Sequence, residues 1–172
     1  MASNCQVPTP HKYVQDMLSY VDYTENLYGK KILENSCGDG NILIEIVERY
    51  IKDSILRKYS VDEIKKGLHC DVIAYEIDEE CIINCKNRLN ELTASYGIKS
   101  VEWNIRHEDF LKEIIEERFD YIVGNPPYIT YHDMTEEQRS LLKEKFKTCE
   151  HGRSDYFYAF IEKSINVLND GG

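Results

Sequence analysis

The sequence predicts an α/β domain: a mostly parallel sheet with helices on both faces. Three observations carry that reading. Short apolar runs (Ile32-Leu33, Val72-Ile73-Ala74-Tyr75, Tyr121-Ile122-Val123) alternate with longer stretches whose apolar residues recur at helical spacing. Such alternation requires crossovers, and crossovers place strands side by side in the same direction. The unusual residues then fall just after the short runs: Glu34 to Gly40, Glu76, Asp109-Phe110 and Asn125 to Tyr128. Ligands of parallel sheets bind at those carboxyl ends, near the point where strand order reverses. Finally, 172 residues with 42% hydrophobic content suffice for one domain with a real core.

The elements follow in order. Tyr13, Val14, Met17, Leu18 and Val21 predict a helix after Thr9-Pro10, with threonine near its cap and proline in its first turn. Lys31 to Asn35 reads as the first strand. Gly38-Asp39-Gly40 leads into a helix with Ile42, Leu43, Ile46, Val47, Tyr50 and Ile51 on one side. The charged stretch from Lys52 to Lys66 reads as a helical excursion over the surface. Cys70 to Ile77 is the second strand, followed by a helix from Glu79 to about Ala94 that turns Ile82, Cys85, Leu89 and Leu92 inward. Val101 to Ile105 is the third strand and Phe119 to Val123 the fourth. Thr135 opens a helix with Glu136 and Glu137 in its first turn. Tyr156 to Leu168 is the last helix, its apolar face formed by Phe157, Phe160, Ile161, Ile165 and Leu168. Residues 1–28 form an N-terminal helical segment that contributes to the ligand pocket, and residues 29–172 form the core.

Composition narrows the function. Met1 to Pro10 lacks the basic start and apolar run of a secretion signal, and no stretch approaches the length of a membrane span. The six cysteines (5, 37, 70, 81, 85 and 149) contain no C-x-x-C pair, and the five histidines show no zinc-like spacing. Cys81 and Cys85, one helical turn apart in an amphipathic run, are expected to be buried reduced thiols, with no metal, in a cytoplasmic protein. The net charge of −10 argues against a broad basic surface for nucleic acid. Any such grip is local or comes from elsewhere. Arg106 to Arg118 and Lys143 to Lys147 offer positive charge mixed with negative, as a solvated helix face also would.

Two loops carry chemistry. The fourth strand stops at Asn125-Pro126-Pro127-Tyr128, where proline removes N–H donors and forces extended geometry. The loop offers an amide side chain, backbone carbonyls and an aromatic ring, which suits a planar ring bearing an amino group. After the first strand, Gly38 and Gly40 let the backbone approach a ligand. Glu76 ends the second strand, where a carboxylate accepts from both hydroxyls of a ribose. A nicotinamide fingerprint needs a third glycine where Leu43 stands and an acidic residue nearer than Glu76. Glu34 would also repel a pyrophosphate. An adenosine cofactor without phosphates fits better: the sulfonium and ammonium of S-adenosylmethionine are complements to Glu34.

Taken together, Thr9-Pro10-x3-Val14-x2-Met17, Ile32 to Leu43, Tyr75-Glu76-Ile77-Asp78, Asp109-Phe110 and Phe119-Asp120-x3-Gly124-Asn125-Pro126-Pro127-Tyr128 resemble the ordered motifs of adenine-N6 DNA methyltransferases. The threonine-proline motif ahead of the glycine motif resembles the gamma arrangement of restriction–modification enzymes. Gly152 to Gly172 is similar to the segment after their catalytic loop. The resemblance covers nearly the whole chain and implies a Rossmann-like class I methyltransferase fold. It implies that Thr9, Glu34, Cys37, Gly38 and Gly40 line the methionine part of S-adenosylmethionine and that Glu76 holds its ribose. Ile77 would pack on the cofactor's adenine, while Asp109 and Phe110 read its amino edge. Asn125 and the carbonyl of Pro126 would accept the N–H groups of an adenine flipped out of double-stranded DNA, with Tyr128 stacked on it. One departure is Asn35, which stands where the family commonly has proline.

Resembling enzymes continue with further strands and a DNA-recognition region, so a catalytic-domain fragment with an open edge beside the fourth strand is expected. The chemistry of the loop leaves alternatives open: methylation of a protein glutamine or an RNA base, or a non-catalytic module that binds a nucleotide or a partner.

Overall fold

A computed structural model describes residues 9–172. Residues 1–8, including Cys5 and most of the stretch searched for a secretion signal, lie outside the described residues. Four strands, β1 (Ile32–Glu34), β2 (Val72–Glu76), β3 (Asn104–His107) and β4 (Tyr121–Val123), form one sheet in the order β3-β2-β1-β4. Every pairing is parallel: Leu33 lies opposite both Ile73 and Ile122, and Ala74 opposite Ile105. The chain moves outward from β1 through β2 to β3, then returns to the other side of β1 for β4. Strand order therefore reverses between β1 and β4.

Helices cover both faces. On one lie α1 (His11–Tyr20), α2 (Asn41–Leu56), α3 (Val61–Asp71) and α4 (Glu79–Ser95). On the other lie α5 (Glu136–Lys145), a short 3-10 turn (Lys147–Cys149) and α6 (Phe157–Val167). Side chains alternate across the strands as the pleat demands. Ile32, Val72, Ala74 and Val123 join Ile42, Leu43, Ile46, Val47, Leu68 and Leu89 in an aliphatic core. Leu33, Ile73 and Tyr75 join Phe110, Phe119, Phe146, Tyr156 and Phe160 in an aromatic one.

Local chemistry sets the helix starts. Ser60 with Glu63, and Thr135 with Gln138, form reciprocal capping boxes. Asp78 caps α4 by accepting from the N–H groups of Glu80 and Cys81. The segment before β1 is held by buried carboxylates: Asp53 accepts from the N–H of Leu27 (2.9 Å), and Asp71 from that of Gly29 (2.7 Å). Val14, Leu18, Tyr23 and Leu27 are fully buried in the aliphatic core, so residues 9–28 pack as part of it.

Several elements differ from the sequence reading. Pro10 is the cap of α1, with Thr9 just before it, so the proline stands one residue ahead of the first turn. Tyr13 is 62% exposed, because α1 buries only Val14 and Leu18. The stretch from Lys52 to Lys66 is the end of α2 and the start of α3, with Lys58 at a left-handed turn and Ser60 capping α3. Cys70 belongs to α3 and is exposed, and β2 starts only at Val72. The third strand is Asn104–His107 rather than Val101 to Ile105, because parallel register pairs Ile73 with Asn104 and Glu76 with His107. Leu92 is half-buried and Thr93 is buried in its place. On α6, Phe160 is buried, Phe157 and Leu168 are half-buried, and Ile161 and Ile165 are exposed. The helix turns Ala159, Lys163 and Val167 inward instead, because Phe110 and the 109–115 segment occupy the space beneath it. Of the thiols, Cys37, Cys85 and Cys149 are buried and Cys81 is half-buried. Phe119, outside β4, bridges in parallel to Leu168, beyond the end of α6.

Candidate active site at the strand-order reversal

Two loops leave the sheet side by side where its order reverses: residues 35–40 after β1 and residues 124–128 after β4. A serine side chain links them. The Ser36 hydroxyl lies 3.3 Å from the carbonyl of Asn125 and 3.3 Å from Asn35 Oδ1, so one proton is shared between two acceptors. The Asn35 amide donates to Ser164 of α6 at 3.0 Å. A side chain at Gly124 would place its Cβ 2.2 Å from Asn35 Oδ1, so with asparagine at 35 only glycine fits at 124. Asn35 thus fills the place of the expected proline with a side chain that ties the first loop to the second and to α6.

In the second loop, Asn125 Nδ2 donates to Thr9 Oγ1 at 3.1 Å. That bond ties the loop to the residue just ahead of the cap of α1. Tyr128 is 63% exposed, with its ring available for stacking. Beyond it the loop is anchored by Tyr131 N–H to Asp155 (2.9 Å) and by Tyr156 N–H to the carbonyl of Ile129 (3.0 Å).

A cleft of about 580 Å³ opens beside these loops. Glu76, Ile77, Asp109, Phe110 and Pro127 line it, as do Asn35, Ser36 and Asp39. Of the residues expected around a cofactor, Glu34, Cys37, Gly38 and Gly40 lie beneath the lining, and Thr9 instead contacts Asn125. The reason is the central position of β1. Glu34 is 1% exposed between two neighbouring strands, and the loop turns over it through left-handed glycines at 38 and 40. At Gly40 a Cβ would also meet Cys85 Sγ at 2.5 Å. The Cys37 thiol is pushed up, first by its contact with the Cys85 sulfur and then by burial and by Glu34. Both thiols are packing groups.

Glu76 accepts from the N–H of Gly38 (2.7 Å), Ile77 (2.8 Å) and Asp78 (3.0 Å). It therefore locks the glycine loop to the end of β2, and ribose hydroxyls would share its lone pairs with those amides. Ile77 is 66% exposed over the cleft. Phe110 is buried between Tyr75 and Phe160, with the Lys163 ammonium 5.0 Å from its ring. Lys163 donates to the carbonyl of Glu113 at 2.6 Å and Lys145 to that of Lys112 at 3.3 Å. Two ammonium groups thus close the end of the turn that begins at Asp109.

The residues fit a cationic adenosine ligand. Six carboxylates (Asp39, Glu76, Asp78, Glu80, Glu108 and Asp109) line the cleft and favour positive charge there. Beneath it, burial raises the Glu34 carboxyl well above its ordinary range, the nearby Cys85 adds to the rise, and the Leu43 N–H opposes it. Among the described residues its buried Oε2 has no hydrogen-bond partner, a costly state that a ligand ammonium would relieve. Among the described residues, no group of three or more His, Cys, Asp or Glu side chains could hold a metal ion. No described helix is long and apolar enough to cross a membrane.

A parallel sheet with its cleft at the order reversal and helices on both faces is the architecture of class I S-adenosylmethionine-dependent methyltransferases. A protein of Listeria monocytogenes assigned to that class superposes with a TM-score of 0.58 over 100% of this chain and 46% of its own, at 20% identity. The chain belongs to the Eco57I restriction-modification methylase family, whose model matches residues 26–172. It is 27% identical over 173 residues to the type II methyltransferase M.XhoI of Xanthomonas vasicola, covering 95% of this chain and 31% of that protein. It is 30% identical over 168 residues to M.BstVI of Geobacillus stearothermophilus, covering 91% and 30% respectively. The chain therefore spans about three tenths of the length of these curated relatives.

Proposed function

We propose that this chain is the cofactor-binding and base-binding part of a cytoplasmic restriction–modification methyltransferase that methylates the N6 amino group of adenine in DNA. The observation that carries the reading is the Asn125-Pro126-Pro127-Tyr128 loop, tied through Ser36 to the glycine loop and standing over an acidic cleft. Membership of the restriction–modification methylase family supports DNA as the substrate.

S-adenosylmethionine, when bound, supplies an electrophilic methyl group on a sulfonium. Glu76, Ile77, Asp109 and Phe110 would hold its adenosine, with the buried Glu34 carboxyl beneath the opposite end. Tyr128 stacks on a base taken out of the duplex. The Asn125 side-chain oxygen and the Pro126 carbonyl each accept one N–H of its amino group. Those acceptors orient the nitrogen and stabilise the positive charge that develops as it attacks. Positioning supplies much of the rate. No strong general base is needed, since the proton becomes acidic only after transfer and water can take it.

The test is labelled methyl transfer from S-adenosylmethionine to adenine-containing duplex DNA, compared with RNA and with a glutamine-bearing protein, using the protein at its natural length. Label in N6-methyladenine supports the proposal. Label only in RNA or in the glutamine side chain overturns it.

A further inference from the structure

We infer that Tyr131, Arg139 and Arg153 form a docking point for a phosphodiester of the nucleic-acid strand that carries the target base. The inference rests on the proposed function and adds the means by which so acidic a chain holds its substrate. The cleft cannot supply that grip, because its six carboxylates repel phosphate. The basic residues seen in the sequence are largely engaged elsewhere. Arg106 and Lys31 both pair with Glu117, Lys112 pairs with Asp109, and Arg118 donates to the carbonyl of Asn166.

Arg139 and Arg153 differ from these. Their guanidinium carbons lie 5.0 and 6.0 Å from the centroid of one ring, that of Tyr131. Among the described residues, neither is ion-paired with a carboxylate, whereas Arg49, Arg57 and Arg106 all are. The two nearby acids along the loop pair with neutral donors rather than with either arginine: Asp155 accepts from the Tyr131 N–H at 2.9 Å and Asp133 from the Thr130 hydroxyl at 2.7 Å. Arg139 is already oriented. Its Nε donates to the carbonyl of Tyr131 (3.1 Å) and its Nη2 to that of Met134 (2.7 Å), leaving both Nη1 donors for a ligand. Both guanidiniums stand within 6.0 Å of that one ring, so two positive charges act at the same part of the surface. A phosphate matches the fork of guanidinium donors.

The position fits the substrate. Tyr131 follows Tyr128 by three residues on the same anchored loop, and Gln138, next to Arg139 on α5, lines the cleft together with Ile129. A base lying over Pro127 would therefore have its own strand passing near these guanidiniums. Exposed His132, whose ring is 6.0 Å from that of Tyr131, borders the same spot.

The test compares Arg153→Glu with Lys99→Glu, an equal charge change on the loop ahead of β3, in the protein at its natural length. Arg153 makes no hydrogen bond among the described residues, so its replacement leaves the fold intact; Arg139→Lys, which keeps the charge and loses the fork, is the second variant. Arg153→Glu is expected to weaken binding of adenine-containing duplex about tenfold and to lower the slope of log affinity against log salt by about one. Affinity for S-adenosylmethionine and turnover at saturating DNA stay within twofold, and Lys99→Glu changes little. DNA affinity and salt slope that are unchanged in both arginine variants, in a protein that methylates DNA, overturn the inference and leave the proposed function standing. A wild-type protein that neither binds nor methylates DNA overturns both.

Discussion

The two faces of the sheet are built to different standards. One is mainly aliphatic: Ile32 and Ala74 of the sheet pack with Leu43, Ile46 and Val47 of α2 and Leu89 of α4. The other is mainly aromatic. Phe110, Tyr156 and Phe160 share it with a buried lysine, and the helix that covers it leaves Ile161 and Ile165 exposed. The first face stabilises the fold, while the second positions the loops of the site. The active-site candidates sit on the seam between them, where β1 and β4 diverge.

Substitutions in the two regions should therefore separate turnover from stability. The largest effect on turnover is expected for Asn125→Ala, which removes one acceptor from the developing ammonium. Turnover should fall about 10²- to 10³-fold, the usual loss for one preorganised electrostatic contact. Thermal stability and cofactor affinity, measured by calorimetry, should change little. Wild-type turnover in this variant would remove Asn125 from the chemistry.

Ile46→Ala on the aliphatic face should do the reverse. Ile46 is fully buried, so truncation is expected to cost about 2–5 kcal/mol by denaturant titration. Activity per folded molecule should remain close to wild type below the transition. A loss of turnover as large as that of Asn125→Ala would abolish the distinction between the faces.

A cycle across the seam sharpens it. Gly124→Ala drives a Cβ into the Asn35 amide and should lower turnover about tenfold. Adding Asn35→Ala makes room for that Cβ and should recover part of the loss. Simple additivity of the two substitutions would show that the contact transmits nothing between the loops.

The smallest expected effect is a slope. Burial, and then the charge of Lys145, push the Lys163 ammonium down to about 8 from its ordinary 10.5, while Asp109 and Glu113 oppose the shift. Between those values the unfolded chain binds more protons than the folded one. The contribution of Lys163 to stability is thus complete above pH 10.5 and is lost as pH falls through 8. Lys163→Met should flatten that rise in denaturant midpoint between pH 8 and pH 10. An unchanged profile would mean that the ammonium is not desolvated under α6.

The same contrast explains what could be read in advance. On the aliphatic face, Ile42, Leu43, Ile46, Val47, Tyr50 and Ile51 are all buried as their spacing predicts. Periodicity works on α2 because its apolar side chains are numerous enough to set the buried face by packing, whereas the shorter α1 leaves Tyr13 exposed. On α6 it fails, since Lys163 satisfies a carbonyl inside and leaves isoleucines outside. The pairing of Asn35 with Gly124 was visible only as a departure from an expected proline. Arg139 and Arg153, fourteen residues apart, gave no local signal at all.

The sequence by itself determined the alternation of strand and helix and the two loops, after β1 and after β4, that leave the sheet at its order reversal, because local spacing and turn residues encode those directly. Only the tertiary structure decided that Glu34 lies beneath the cleft, that Ser36 and Asn35 join the two loops, and that two arginines meet at one tyrosine. Those facts depend on which chain segments parallel register and crossover bring together, and no local pattern records that.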